Sequence, residues 1–423
     1  MAELGLSPLM SGDELPVAQA RAVIAQHLQT VTGVESVPVD RAVGRVLAAD
    51  LDSPIDVPAH DNSAMDGYAF AGADLAAEAR TRLAAVDGTV FAGARFDGRV
   101  GRGQCVRIMT GAVMPPGLDT VVPVELVKVE DGTVDFASNA VKPGENRRKR
   151  GEDLARGQPA LSAGRVLRPA DVGLVASLGF DRVEVRRRLR VAVFSTGDEV
   201  QAPGTPLAPG CIYDSNRFGL IGALQRLGME VVDLGLVRDD PAALAAVVDR
   251  AVAESDAVVT SGGVSMGDAD YTKDVLEARG EVGFWKVAMR PGRPFAFGPL
   301  KGEGGRRALL FALPGNPVAA LVTYYVFVRD ALLALAGAEA TPVPTLRVRS
   351  AAAIRKRPGR SEYQRGIVER AADGQWEVRL TGAQGAGILR SLSVANALVV
   401  LGPEQGSVAA GDLVEVWLFD GLA

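Results

Sequence analysis

Apolar positions at Val17, Ala20, Val23, Ile24 and Leu28 recur at helical spacing and predict a helix over about 14–30. Ser11-Gly12-Asp13-Glu14 offers a capping box before it. From about 50 to 145 the period changes. Short β-like runs, 104–109 and 120–128 among them, alternate with Gly, Pro and Asp turns and predict small β-rich modules. The stretch 161–178 is read as returning to the first module, which makes that module discontinuous. Over 189–337 strands and helices alternate. Strands are expected at 189–195, 230–234, 257–260, 284–289 and 308–313, and helices at 215–227, from Pro241 to about Ala253, and from about Tyr271. Gly228 closes the first of these helices, and Asp239-Asp240-Pro241 opens the second with a cap and a first-turn proline. This alternation implies a doubly wound α/β layer with a mostly parallel sheet. The apolar stretch 318–336 is broken by Thr323, Arg329 and Asp330 and reads as a buried helix, not a membrane span. After a Pro-rich linker at 341–344, short strand candidates at 346–348, 363–369, 376–380, 397–401 and 413–419 predict a small barrel or sandwich.

A chain of 423 residues is too long for one ordinary core and suggests about two to four domains. Its net charge of −5 argues against a nucleic-acid binder that relies on a broad basic face. The basic run Arg147-Arg148-Lys149-Arg150 is short and is followed at once by Glu152 and Asp153, as in a solvated loop. With only Cys105 and Cys211, and only His27 and His60, a disulfide framework, a Cys- or His-based zinc site and a Ser-His-Asp or Cys-His catalytic group are all excluded. The first residues show no basic segment followed by an apolar run, so neither a signal peptide nor a membrane anchor is expected, and a cytoplasmic location follows.

The unusual loops all follow predicted strands: Thr196-Gly197-Asp198-Glu199, residues 261–270, and Pro314-Gly315-Asn316-Pro317. Ligands of open α/β sheets bind beyond the carboxyl ends of the strands, so these loops converge on one candidate site. In Ser261-Gly262-Gly263-Val264-Ser265-Met266-Gly267 the paired glycines let backbone N–H groups approach an anion, and the helix start that follows favours negative charge. A flexible turn is the plainer alternative. Asp198, Glu199, Asp239, Asp240, Asp268 and Asp270 surround these loops. Carboxylates alone would repel a phosphate, and a hard cation such as Mg²⁺ resolves the conflict by taking oxygens from both. For Asp239 and Asp240 an ordinary helix cap is the competing explanation. Lys286, Arg290 and Arg293 lie in a Pro- and Gly-containing segment that suits an oxyanion, or else a solvated edge strand. Asp61 to Tyr68 packs carboxylates, an amide and a hydroxyl into one turn-rich stretch. Residue chemistry alone therefore reaches a multidomain α/β enzyme with a Mg²⁺-phosphate site, and does not reach molybdenum.

That step comes from a resemblance. Asp61 to Tyr68 (DNSAMDGY), Arg107 to Gly111 (RIMTG), Arg150 to Asp153 (RGED), Phe194 to Glu199 (FSTGDE), Arg238 to Pro241 (RDDP), Ser261 to Gly267 (SGGVSMG), Ala269 to Lys273 (ADYTK) and Pro314 to Pro317 (PGNP) occur in the order and spacing of the MoeA / gephyrin E-domain family. The resemblance runs from the first helix to the last strands. It implies a discontinuous N-terminal region (1–50 with 140–185), a small β-rich domain (51–139), a MogA-like α/β molybdopterin-binding domain (186–338) and a C-terminal β-barrel (345–423). It also implies a homodimer with a shared cleft. The implied reaction is insertion of molybdate into adenylylated molybdopterin, Mg²⁺-dependent, releasing AMP and molybdenum cofactor. A MogA-type adenylyltransferase and molybdoenzymes are its implied protein contacts.

Carried over motif by motif, the resemblance implies that Asp66, Thr110, Asp153, Glu199, Asp239, Asp270 and Lys286 serve activity. Glu199 with Asp239 or Asp270 would hold the metal. Ser261, Gly262, Gly263, Ser265, Pro314, Gly315, Asn316, Arg290 and Arg365 would bind the cofactor, with Arg365 facing the site across the dimer. Two residues depart from the family pattern. Arg290 stands where many members carry Lys, and Ala386 stands where a serine is common. Three competing readings are a gephyrin-type scaffold, the upstream adenylyltransferase whose fold the middle domain shares, and a paralogue handling tungstate.

Overall fold

A computed structural model describes residues 14–31, 33–263, 271–340 and 342–419. The first helix, Val17–Gln26, buries Ala20, Val23 and Ile24 as the spacing predicts. It starts later than expected, behind Pro16, and carries no side-chain cap. Of the expected capping box, residues 11–13 lie outside the described residues, and Glu14 takes another role. Its carboxylate accepts from Arg293 at 2.6 Å and from the guanidinium of Arg360, so it ties the chain start to both later parts.

Strand Val34–Pro38 pairs antiparallel with Arg182–Arg186, and Leu51–Asp52 pairs with Pro159–Leu161. Val39, Leu47, Leu161, Leu167, Val175, Val183 and Val185 fill the space between them. Between these segments lies a six-stranded sheet with Gly67–Phe70, Arg80–Val90 and Gln104–Ile108 at its centre. Alternate residues reach opposite faces and two separate cores: Ala69, Val106 and Val121 on one side, Phe70, Cys105 and Val122 on the other. The run expected over 120–128 is extended only to Pro123, where the chain turns through Val124–Leu126.

The α/β layer contains strands β1 (Arg190–Thr196), β2 (Glu230–Val237), β3 (Ala257–Ser261), β4 (Gly283–Lys286), β5 (Pro294–Lys301) and β6 (Arg307–Leu313) in the order β2-β1-β3-β6-β5-β4. Pairing is parallel from β2 to β6 and antiparallel at β5 and β4. Along β1, Val191 and Val193 enter one core and Ala192 and Phe194 the other. Helix α1 (Asn216–Arg226) packs Leu220 and Leu224 into the first core, and helix α2 (Pro241–Glu254) packs Leu244 and Val248 into the second. Asp240 caps α2 by accepting from the Ala243 N–H at 2.8 Å, as read from the sequence. The 19-residue helical run Pro317–Leu335 is apolar enough to cross a membrane, yet most of it is buried in the first core. Its middle turn, Tyr324–Val328, is wound as a π-helix.

The strand expected over 284–289 divides. Lys286 ends β4, and Met289–Arg290 leaves the sheet to pair with Ser361 and Glu362 of the C-terminal unit. That unit is a closed barrel of β7 (Thr345–Ser350), β8 (Ser361–Arg370), β9 (Trp376–Leu380), β10 (Ala397–Leu401) and β11 (Leu413–Leu418), running β8-β9-β7-β11-β10 and back to β8. Closure leaves few free edges, and Val348, Val368, Val378, Val399 and Val416 fill its interior.

Candidate active site

The carboxyl ends of β1, β3 and β6 open into a cleft of about 1030 Å³. Thr196, Gly197, Asp198 and Glu199 follow β1, Ser261, Gly262 and Gly263 end β3, and Pro314, Gly315 and Asn316 follow β6; all line it. Asp239 and Asp240 complete one wall from the start of α2. These are the loops that the sequence singled out, and parallel strand order alone places them on one edge. Ser265 and Asp270 lie outside the described residues.

The glycines have local reasons. Gly262 has φ +95°, and a Cβ there would sit 2.7 Å from the Thr196 carbonyl oxygen. Gly263 has φ +68°, and its Cβ would meet the Thr272 hydroxyl at 2.7 Å. Only a residue without a side chain fits both the backbone and the space. At Gly262 and Gly263 the chain therefore presents main chain, not side chains, to the cleft. The Thr196 hydroxyl beside it is buried and has no hydrogen-bond partner among the described residues.

Electrostatics in the cleft are acidic. Burial, followed by the charges of Asp198 and Glu199, pushes the Asp239 carboxyl above the usual carboxylate range. A hydrogen bond from the Asp198 backbone offsets part of that rise, and the Asp239 N–H in turn donates to Asp198 Oδ1 at 3.3 Å. This mutual repulsion, and the oxygen-only donor set, fit a hard divalent cation. Among the described residues no cluster of at least three acidic, His or Cys side chains is tight enough to hold a metal by itself.

Cleft residues that the sequence reading passed over come from the segment before and into α1 (Tyr213, Asp214, Ser215, Asn216) and from the barrel (Gly387, Leu389). The sequence pattern marks Ser215 only as the start of a helix. The barrel loop docks on the α/β layer through the Val318 N–H, which donates to the Ala386 carbonyl at 3.0 Å. Behind that loop lies Arg365, only 1% exposed. It donates to Ser391 Oγ at 3.0 Å and to the carbonyls of Gly385 at 3.0 Å and Ala383 at 3.4 Å. Burial, and then the charge of Arg290, lowers its pKa to about 10. Arg365 thus bonds within the barrel and is not among the described residues that line the cleft. Lys286 is half-buried and Arg290 exposed, on either side of the point where the chain passes from sheet to barrel.

Asp66 and Thr110 meet on the N-terminal β-rich sheet, away from this cleft's described lining. Thr110 donates both its hydroxyl, at 2.6 Å, and its N–H, at 2.7 Å, to Asp66 Oδ1. These bonds hold the Asp66 carboxyl below the usual carboxylate range. Asp153 is exposed, and its N–H donates to the Val57 carbonyl at 3.1 Å.

Three family descriptions match in sequence along the chain: the MoeA N-terminal region (domain I and II) over residues 15–179, a probable molybdopterin binding domain over 192–334, and the MoeA C-terminal region (domain IV) over 347–419. The chain belongs to the MoeA family. It is 42% identical over 410 residues to a molybdopterin molybdenumtransferase of Haemophilus influenzae, spanning 96% of this chain and 99% of that one. A molybdopterin molybdenumtransferase 2 of Mycobacterium tuberculosis is 36% identical, spanning 95% of this chain and 98% of that one. Among solved structures, the molybdopterin biosynthesis moeA protein of Pyrococcus horikoshii superposes with a TM-score of 0.82 at 27% identity, over 96% of this chain and 100% of that one. MoeA membership thus accounts for both the doubly wound layer and the closed C-terminal barrel.

Proposed function

We propose that this chain inserts molybdate into adenylylated molybdopterin, releasing AMP and molybdenum cofactor. The observation that carries the reading is the convergence, on one cleft, of a main-chain glycine cradle, a repelling carboxylate group and a loop of the C-terminal barrel. The main chain at Gly263, next to Gly262 whose own N–H donates to the Leu313 carbonyl at 3.1 Å, suits with the Thr196 hydroxyl the phosphate on the pterin side. Glu199 and Asp239, with Asp198 beside them and Asp270 a further candidate, would hold Mg²⁺, which when bound neutralises phosphate charge between the carboxylates. Lys286 and Arg290, where the chain passes from sheet to barrel, would draw in molybdate, and Arg365, bonded behind the barrel loop, would hold that loop in place. Attack of water on the phosphate–phosphate link would free AMP, and the two soft dithiolene thiols would then replace a molybdate oxygen, which leaves as water with their protons, and keep the metal.

Asp66, Thr110 and Asp153 would complete the site from a second copy of the chain, because they stand on the N-terminal modules and outside the described cleft lining. A homodimer is the assembly this requires, and light scattering should report one at micromolar concentration. A cytoplasmic enzyme that receives substrate from a MogA-type adenylyltransferase and passes product to molybdoenzymes fits the same reading. The decisive experiment measures AMP release from adenylylated molybdopterin with and without molybdate and Mg²⁺. Molybdate-dependent release with active cofactor formed is expected. No release under any condition would move the assignment to a scaffold. Tungstate in place of molybdate tests the remaining substrate choice.

A further inference from the structure

We infer that Asn216 is a positioning residue that locks the two glycine-containing cleft loops to each other; this rests on the proposed function above. Its side-chain amide has two hydrogens, and both are used across the cleft floor. One goes to Ser261 Oγ at 2.7 Å and the other to the Gly315 carbonyl at 2.7 Å. Ser261 Oγ passes the connection on to the Pro314 carbonyl at 3.3 Å. The ladder between β3 and β6 ends at Ser261 and Leu313, so Asn216 continues the link where strand pairing stops. Side-chain packing does little here, since a Cβ on Gly315 would find only the Gly262 Cα, at 4.0 Å. Loops made of glycine have the most conformational freedom to lose, and a cradle of main-chain donors binds well only if its geometry is set beforehand.

Asn216 is itself held from behind. Its neighbour Arg217 bonds Asp214 Oδ2 through Nε at 2.7 Å and Asp233 through a terminal nitrogen at 2.6 Å. Asp214, 2% exposed, also accepts from Ser195 Oγ of β1 at 3.0 Å and from the Arg217 N–H at 3.2 Å. The segment 214–217 therefore bonds to the ends of all three strands whose loops build the cleft.

The test compares Asn216→Ala, Asn216→Ser and Asn216→Asp in the full-length protein. It reads KM and kcat for AMP release, melting temperature, and amide hydrogen exchange of 261–263, Gly315 and Asn316. Alanine should raise KM about tenfold with kcat within about twofold, the order expected when two hydrogen bonds are lost. Serine, with one hydrogen to donate, should lie between. Aspartate keeps the size of asparagine and suits the first turn of a helix, so a purely helix-stabilising role predicts unchanged or raised stability and normal KM. The clamp predicts normal stability with KM raised at least as far as in alanine, because a carboxylate cannot donate to the Gly315 carbonyl. Faster exchange in both loops should accompany the Ala and Asp variants. Wild-type KM in both variants, or normal exchange, overturns the proposal, as does a parallel fall in kcat and melting temperature in all three. If the wild-type protein releases no AMP, the functional reading fails, and the exchange data still decide whether Asn216 orders the loops.

Discussion

Thr110 donates two hydrogen bonds, from its hydroxyl and from its own N–H, to a single oxygen of Asp66, 44 positions earlier in the chain. The two residues belong to separate motifs, and the fold makes them one unit. Strand Gly67–Phe70 pairs with Gln104–Ile108, which brings the turn before the first strand against the turn after the second. The first prediction follows from this. Thr110→Val removes the hydroxyl, the largest cause of the lowered Asp66 pKa, and keeps the N–H. The Asp66 pKa should rise toward the ordinary carboxylate range. A group held below its unfolded value contributes stability that is present above that value and lost as pH falls through the folded one. The acid limb of the stability curve should therefore move to higher pH. Carboxyl-detected NMR titration reads this directly, and an unmoved Asp66 would show that the N–H suffices.

Asp239 has the opposite sign. Burial and the charges of Asp198 and Glu199 raise its pKa, so its ionisation opposes folding. The associated stability is full below the unfolded value and is lost as pH rises through the folded one. Asp239→Asn should make the metal-free protein more stable at neutral pH and abolish any gain in melting temperature from added Mg²⁺. Melts across pH with and without Mg²⁺ check both halves. A variant that keeps the full Mg²⁺ gain would remove Asp239 from the metal site.

Gly262→Ala should cost about 1–3 kcal/mol of stability, because φ +95° is strained for alanine and the new Cβ meets the Thr196 carbonyl at 2.7 Å. Chemical denaturation measures that cost. Binding of molybdopterin, followed by its fluorescence, should fall with it, since the cradle depends on that backbone. Unchanged binding would show that the ligand phosphate lies elsewhere.

Arg365→Lys keeps the charge and loses the planar fork. One ammonium cannot reproduce the spread of bonds to Ser391, Ala383 and Gly385. Stability should drop by about 1–3 kcal/mol, the cost of leaving buried partners unpaired. Limited proteolysis should cut within 383–387 faster than in the wild type. Equal cutting rates would mean that Arg365 does not shape the barrel loop.

Two strand-level differences have physical causes. β5, Pro294–Lys301, is an internal strand of the α/β sheet, yet it begins with Pro294 and contains Gly298 and Pro299, residues that argue against a strand. Gly298 is required because a Cβ there would lie 2.0 Å from the Glu281 carbonyl oxygen. The pattern over 284–289 reads as one continuous strand, but its second part pairs with β8 of the barrel. Periodicity reports which face of a strand is buried, not which sheet buries it.

Periodicity and turn chemistry alone carried the alternating α/β core, the Asp240 cap, the buried apolar helix and the strand-end loops that form the cleft. These are local choices, decided by side-chain period, caps and glycine placement within a few residues. The joint order of motifs carried the family, because unrelated chains do not share so many spacings. Other features were decided only by tertiary structure. These include the amide of Asn216 spanning two loops 45 and 99 residues away, the burial of Arg365 behind a barrel loop, and the meeting of Asp66 with Thr110. Each is a contact between distant segments, set by how sheets and barrel pack, and no local pattern encodes the position of a partner that far along the chain.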